Sequence, residues 1–158
     1  MADRTPVITL LLENRKALFD YEIVERFEAG VVLTGAEVKS IRAKSANLRG
    51  AYVSIRRGEA WLVGWHISAY KQATQAVHDP KRDRKLLLKR RDITNLTAKQ
   101  HERGMSIVPT EVYTKGSLIK IRIGLARGRK RHDKKQLLKE RDINREAERA
   151  IKHGDYGE

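Results

Sequence analysis

The chain has 158 residues, with 34 lysines and arginines against 20 aspartates and glutamates, a formal net charge of +14 at pH 7. That is one domain's worth of chain with some to spare, and so large a positive excess favours a polyanionic partner, because neutralising phosphates relieves self-repulsion. Absence of cysteine, five scattered histidines (His66, His78, His101, His132, His153) and the lack of any apolar run near the roughly 18 residues of a membrane span argue against disulfides, thiolate chemistry, compact metal motifs or a membrane protein.

Residues 1 to 12 read as a short lead that ends in an apolar piece, Val7 to Leu12. Asn14, Arg15, Lys16 and Ala17 follow as a polar turn. Phe19, Tyr21, Ile23 and Phe27 then fall on one face with Asp20, Glu22 and Arg26 opposite, the alternation of a half-buried strand. Glu28-Ala29-Gly30 is expected to turn the chain back into an antiparallel partner, Val31 to Leu33. At Thr34 the spacing changes. Thr34 and Glu37 stand as T-x-x-E, in which the hydroxyl and the carboxylate each satisfy an otherwise unpaired backbone N–H. Val38 and Ile41 follow at helical spacing, so the pattern predicts a helix from Gly35 to about Lys44, with Lys39, Arg42 and Lys44 on a basic outer surface.

Ala51 to Arg57 and Ala60 to Ile67 read as a hairpin turned at Gly58-Glu59. Trp61, Val63, Trp65 and Ile67 share one face of the second strand, which makes both tryptophans core residues. Ser68 to Arg84, broken at Asp79-Pro80 and loaded with Lys81, Arg82 and Arg84, reads as a mobile basic loop, after which Leu86 to Leu88 dip into the core. Ile93 and Leu96 predict a helix over Arg91 to Arg103 with Gly104 as its cap. A last hairpin follows, Ser106 to Tyr113 with Pro109 at an edge or bulge, then Leu118 to Ala126 with Lys120 and Arg122 facing out. The fold class is mainly β: an OB-like closed barrel of about six strands with two or three helices, spanning residues 13 to 126.

From Arg127 the composition changes. Arg127, Arg129, Lys130 and Arg131 form a basic run, and beyond them helix formers dominate while apolar residues thin to Leu137, Leu138, Ile143, Ala147, Ala150 and Ile151. A helix with so narrow a stripe buries little, so residues 127 to 158 are expected to be disordered alone and helical against RNA.

NRKA at Asn14 to Ala17, FEAG followed by GAEVKSIR over Phe27 to Arg42, DP-x-R-x-RKLLL at Asp79 to Leu88 and ARGRKRHDKK at Ala126 to Lys135 together resemble the small protein B (SmpB) family of SsrA-RNA-binding proteins. The resemblance implies an OB-like barrel that binds the tRNA-like domain of transfer-messenger RNA and brings it to stalled ribosomes, catalysing nothing. It implies a cytoplasmic protein, acting as a monomer without a cofactor. Asn14, Glu37, Leu88 and Lys120 would stand in or beside the RNA-facing surface, joined by Arg15, Lys16, Lys39, Lys89 and Arg122. Lys89, where the family usually has His or Asn, suits a phosphate contact. The tail motif, with Arg127, Arg129, Lys130, Arg131, His132, Asp133, Lys134 and Lys135 and with Ile151 further on, would work in the empty decoding centre and messenger path of the small subunit. The family commonly reads D-K-R where this chain has Asp133, Lys134 and Lys135, and lysine lacks the planar fork that grips phosphate bidentately.

Glu37 carries two readings from sequence, a helix cap or an acceptor for a base amino group or ribose hydroxyl, and Asn14 likewise reads as a turn residue or a contact. A nuclease would need convergent acids or a histidine pair, and neither is evident. A ribosomal protein using the same barrel on ribosomal RNA is the alternative that composition leaves open.

Overall fold

The computed structural model describes residues 5–70 and 79–154. The chain divides into two compact units, Met1–Gly128 and Arg129–Glu158. In the first, seven strands form one antiparallel sheet in the order β1-β8-β9-β2-β7-β5-β4: β1 Ile8–Glu13, β2 Tyr21–Val31, β4 Tyr52–Arg56, β5 Glu59–Val63, β7 Arg84–Leu87, β8 Met105–Lys115 and β9 Leu118–Gly128. Two short strands, β3 Ala46–Asn47 and β6 His66–Ile67, pair separately. Three helices, α1 Arg15–Asp20, α2 Gly35–Arg42 and α3 Arg90–Lys99, complete the unit. Nine strands among the described residues replace the expected six or so. β1 and β4 are the sheet's edges, and β4 runs beside β8 without a hydrogen-bonded ladder between them.

Period-two burial drives this arrangement. On β9, Ile121, Ile123 and Leu125 are buried and meet Phe27 and Ala29 of β2, Leu62 of β5, Leu86 of β7 and Val112 of β8 in one core. Each large aliphatic side chain removed from water there stabilises by about 1.5–3 kcal/mol. A second, smaller cluster of Ala17, Val108 and Ala126 seats α1 on the sheet.

Several local expectations change. Val7 to Leu12 is not merely a lead, because Ile8–Glu13 pairs with β8. Asn14 opens α1 rather than a turn: its side-chain oxygen accepts from Ala17 N–H at 3.2 Å, and Phe19 belongs to that helix. No turn occurs at Glu28-Ala29-Gly30, since β2 runs unbroken to Val31, held by β9 on one side and β7 on the other. Gly64, at φ +79, interrupts the strand that was to carry both tryptophans. Trp65 is therefore fully buried, whereas Trp61 is half-buried opposite Lys85, on the face away from Ala60 and Leu62. Within the expected loop Ser68 to Arg84, residues 71–78 lie outside the described residues, and Arg84 is a buried strand residue instead of a loop charge. Pro109 sits at a β-bulge as expected: it pairs with Ile123 and Glu111 with Arg122, which leaves Thr110 as the extra residue.

In the second unit α4, Arg131–Gly154, leaves nearly all its described side chains exposed, including Leu138 at 47%, Ile143 at 63% and Ile151 at 72%. No helix among the described residues is long and apolar enough to cross a membrane.

Candidate nucleic-acid interface

α2 starts as its sequence dictates. Thr34 Oγ accepts from the Glu37 N–H at 3.2 Å, and the Glu37 carboxylate accepts from the Thr34 N–H at 2.9 Å, a complete capping box. The same carboxylate also takes two arginines. Arg84 Nε donates to it at 2.6 Å and Arg82 binds both of its oxygens, Nε at 3.2 Å and Nη2 more closely. Arg84 spends its remaining donors on three backbone carbonyls, Trp65 at 2.6 Å, Pro80 at 3.2 Å and Arg82 at 3.3 Å, and lies over the Trp65 ring. Glu37 is 1% exposed and Arg84 is wholly buried. The reading of Glu37 as an RNA contact is thereby corrected: its lone pairs are taken, and its work is to clamp α2 to the start of β7.

Burial pushes the Glu37 carboxyl upward, but hydrogen bonds from Arg82, from the Thr34 N–H and from Arg84 outweigh it and bring its pKa down to about 2. A carboxylate depressed from 4.5 contributes stability that is full above the unfolded value and vanishes as pH falls through the folded one. Urea midpoints measured down a pH series should therefore drop between about pH 5 and pH 2, and Glu37→Gln should flatten much of that drop.

Asn14 needs the same correction. It is 3% exposed, and its amide donates to the carbonyls of Pro109 at 2.9 Å and Leu48 at 3.3 Å, so it ties α1 to β8 and offers nothing outward. Its neighbours Arg15 and Lys16 are exposed on α1, Lys16 paired with Asp20 at 3.1 Å. Lys39 on α2 lies over the Tyr70 ring, 5.4 Å from its centre. Lys89 is the exposed N-cap residue of α3.

Lys120 and Arg122 do share the sheet's outer face, and register identifies what accompanies them. Across five strands, Leu10, Tyr113, Lys120, Gly30 and Leu87 stand opposite one another in a row, with Glu111, Arg122 and Glu28 in the next. Gly30 keeps that row flat: a Cβ there would come within 3.3 Å of Leu87 Cβ and 3.7 Å of Lys120 Nζ. Leu87 is 55% exposed, while Leu88 is half-buried and packs against the core, so the outward leucine is the one before the position read from sequence.

The acids of this face are already engaged. Glu28 accepts from the Tyr113 hydroxyl and pairs with Lys115 at 3.3 Å, while Glu111 pairs with Arg122 at 2.8 Å. The Tyr113 bond is the main influence holding the Glu28 carboxyl below its ordinary range. Burial, followed by that same bond, lifts the Tyr113 hydroxyl to about 12. Arg122 also covers the Tyr113 ring, 5.3 Å from its centre. Lys120 makes no ion pair among the described residues, and its charge acts only at longer range, helping to hold down the Glu28 carboxyl. Glu28 was missed because the sequence reading turned the chain at Glu28-Ala29-Gly30, and Leu87 because Leu86 to Leu88 read together as core. Continuing the alternation past Phe27 through Ala29 would have turned Glu28 outward.

The tail residues divide. Arg127 is exposed within β9, opposite Glu22, whereas Arg129 and Lys130 lead into α4. Along α4, Arg131, Lys134, Lys135, Arg141, Arg145 and Arg149 fall on one side at helical spacing, and Leu137, Ala147 and Ile151 on the other. His132 is exposed, its ring 4.0 Å from the Asp133 carboxylate.

A protein family described as SmpB protein matches residues 11–153 of this chain. The SsrA-binding protein of Thermosynechococcus vestitus is 51% identical over 146 residues, covering 92% of this chain and 96% of that protein. The SsrA-binding protein of Gloeothece citriformis is 48% identical over 153 residues, covering 96% and 99%. A solved chain described as "tmRNA-SmpB: a journey to the center of the bacterial ribosome" superposes with a TM-score of 0.66 at 38% identity, over 82% of this chain and 95% of that one.

Proposed function

The chain belongs to the SmpB protein family, and from that membership we propose that it binds the tRNA-like domain of transfer-messenger RNA and delivers it to stalled ribosomes in the cytoplasm. The observation that carries this reading is the outer row in which Leu10, Lys120 and Leu87 stand beside the flat spot at Gly30, over a buried Tyr113: a part-apolar strip with an ammonium in no ion pair among the described residues, suited to lie against ribose and phosphate. Lys120, Arg122 and Leu87 form the capture face, with Lys39, Lys89, Arg15 and Lys16 as further cations at its disposal. Residues 13 to 126 then act as an OB-like body whose barrel closes where β4 meets β8, a reading supported by their proximity. Residues 127 to 158 act as the ribosomal extension, with His132 and the cations from Arg127 to Lys135 working in the decoding centre and messenger path, and Ile151 further along. A single copy suffices for this division of work.

An adaptor role rather than catalysis fits the acids. Glu28, Glu37 and Glu111 are each held by cations or a hydroxyl, which leaves them poor candidates for moving protons.

Titration of the isolated tRNA-like domain across a salt series tests the reading. With about six phosphates engaged, affinity should fall on the order of a thousandfold between 50 and 200 mM salt. Lys120→Ala should make that slope shallower by about one. A flat salt response, or an unchanged slope in the variant, would contradict it.

A further inference from the structure

One residue past Leu87, the last member of the outer row, the chain enters a groove. Leu88, the residue after the exposed Leu87, lines a groove of about 710 Å³ between the tip of the β4–β5 hairpin and α3, together with Arg57, Arg90, Ile93, Thr94 and Thr97. Its lining holds two arginines and no acid. Both arginines are exposed, and neither makes an ion pair among the described residues.

Arg57 is also conformationally costly where it stands. The hairpin turns through Arg57 at φ 52 and Gly58 at φ 73, with Arg56 paired to Glu59. Two-residue turns of this kind favour Asn-Gly, because a long side chain gains nothing locally from the left-handed region and is disfavoured there. An arginine held at such a tip is a backbone outlier that points toward a use outside the hairpin.

The threonines add chemical direction. Thr94 Oγ donates to the Arg90 carbonyl at 3.0 Å and Thr97 Oγ to the Ile93 carbonyl at 2.6 Å. Each hydroxyl has spent its proton and can only accept, so a ligand matching them must donate. Phosphates for the arginines and hydroxyl donors for the threonines, on an apolar floor of Leu88 and Ile93, describe a ribose-phosphate backbone.

We propose that this groove is a second anchor for the RNA on the outer sheet face, with Arg57 and Arg90 gripping two of its phosphates and Thr94 and Thr97 accepting from ribose 2′-hydroxyls. The proposal rests on the adaptor reading above, and commits to the tRNA-like domain because Leu88, which lines the groove, follows directly on Leu87 at the end of the row.

Arg57→Asn separates a use in binding from a use in folding, because asparagine suits the turn. It should raise the melting temperature while making the salt slope for the tRNA-like domain shallower by about one. Arg57→Asn with Arg90→Gln should take about two from the slope and weaken binding on the order of tenfold near 0.2 M salt. If wild-type protein binds with a steep slope and Lys120→Ala weakens it, but the double variant matches wild type, the groove proposal is overturned and the adaptor reading stands. If wild-type protein shows no salt-dependent binding, the adaptor reading itself fails. A double variant that keeps the tRNA-like domain but loses isolated small ribosomal subunits would assign the groove to ribosomal RNA, which also overturns the proposal.

Discussion

Arg84→Ala is expected to cost the protein about 3–5 kcal/mol in urea unfolding, more than any single surface-charge substitution. The buried guanidinium holds a carboxylate that is itself 1% exposed, together with the carbonyls of Trp65, Pro80 and Arg82. Truncation therefore takes the buried one of two cations from that carboxylate, leaves three acceptors without this donor and opens a void beside Trp65. Arg82 still reaches Glu37, but from a side chain 35% exposed, so its attraction is screened and Arg82→Ala should cost only about 1 kcal/mol. Arg56→Ala, which removes an exposed pair with Asp83, should lie within about 0.5 kcal/mol of wild type. If Arg84→Ala fell in the same range as Arg56→Ala, the clamp between α2 and β7 would not organise this part of the fold.

Much of that clamp's helix was legible and its partners were not. T-x-x-E at Thr34 and Glu37 is a local pattern, and local hydrogen bonds between residues three apart can be read from spacing alone. Arg84 sits 47 positions further on, inside a run of cations whose composition says solvent. Only the register of β7 against β5 and β2 turns Arg84 inward. The outer face followed the same division. Lys120 and Arg122 were placed correctly because β9 alternates cleanly from Ile119 to Leu125, whereas β2 was broken at a glycine that is a flat spot in a continuous strand. Trp61 and Trp65 show the converse, since strict alternation across Gly64 put both on one face, and its positive φ separates them. The four motifs carried the family without depending on any of these details, because a spaced set of residue identities survives a wrong assignment of the elements between them.

The second large effect concerns the extension. β9 runs to Gly128, and Ala126 is buried in the small cluster beneath α1, so the cut that spares the body falls after Gly128. A chain ending there should still capture the tRNA-like domain and should lose rescue of ribosomes stalled without a stop codon. In the full chain, amide protons of Leu137 to Ile151 should exchange far faster than those of β8 and β9. The described side chains of α4 are nearly all exposed, and a helix of 24 residues that buries so little is held mainly by its own propensities. Protection of α4 equal to the sheet's would contradict a tail that orders only on its target. Rescue by the shortened chain would contradict the division of work itself.

Recovery of the chain from a lysate, followed by sequencing of the RNA that comes with it, reaches the central claim most directly. Transfer-messenger RNA should dominate the recovered species for both the full chain and the chain ending at Gly128, and should be depleted for Lys120→Ala. Recovery of ribosomal RNA alone, by either chain, would contradict the account.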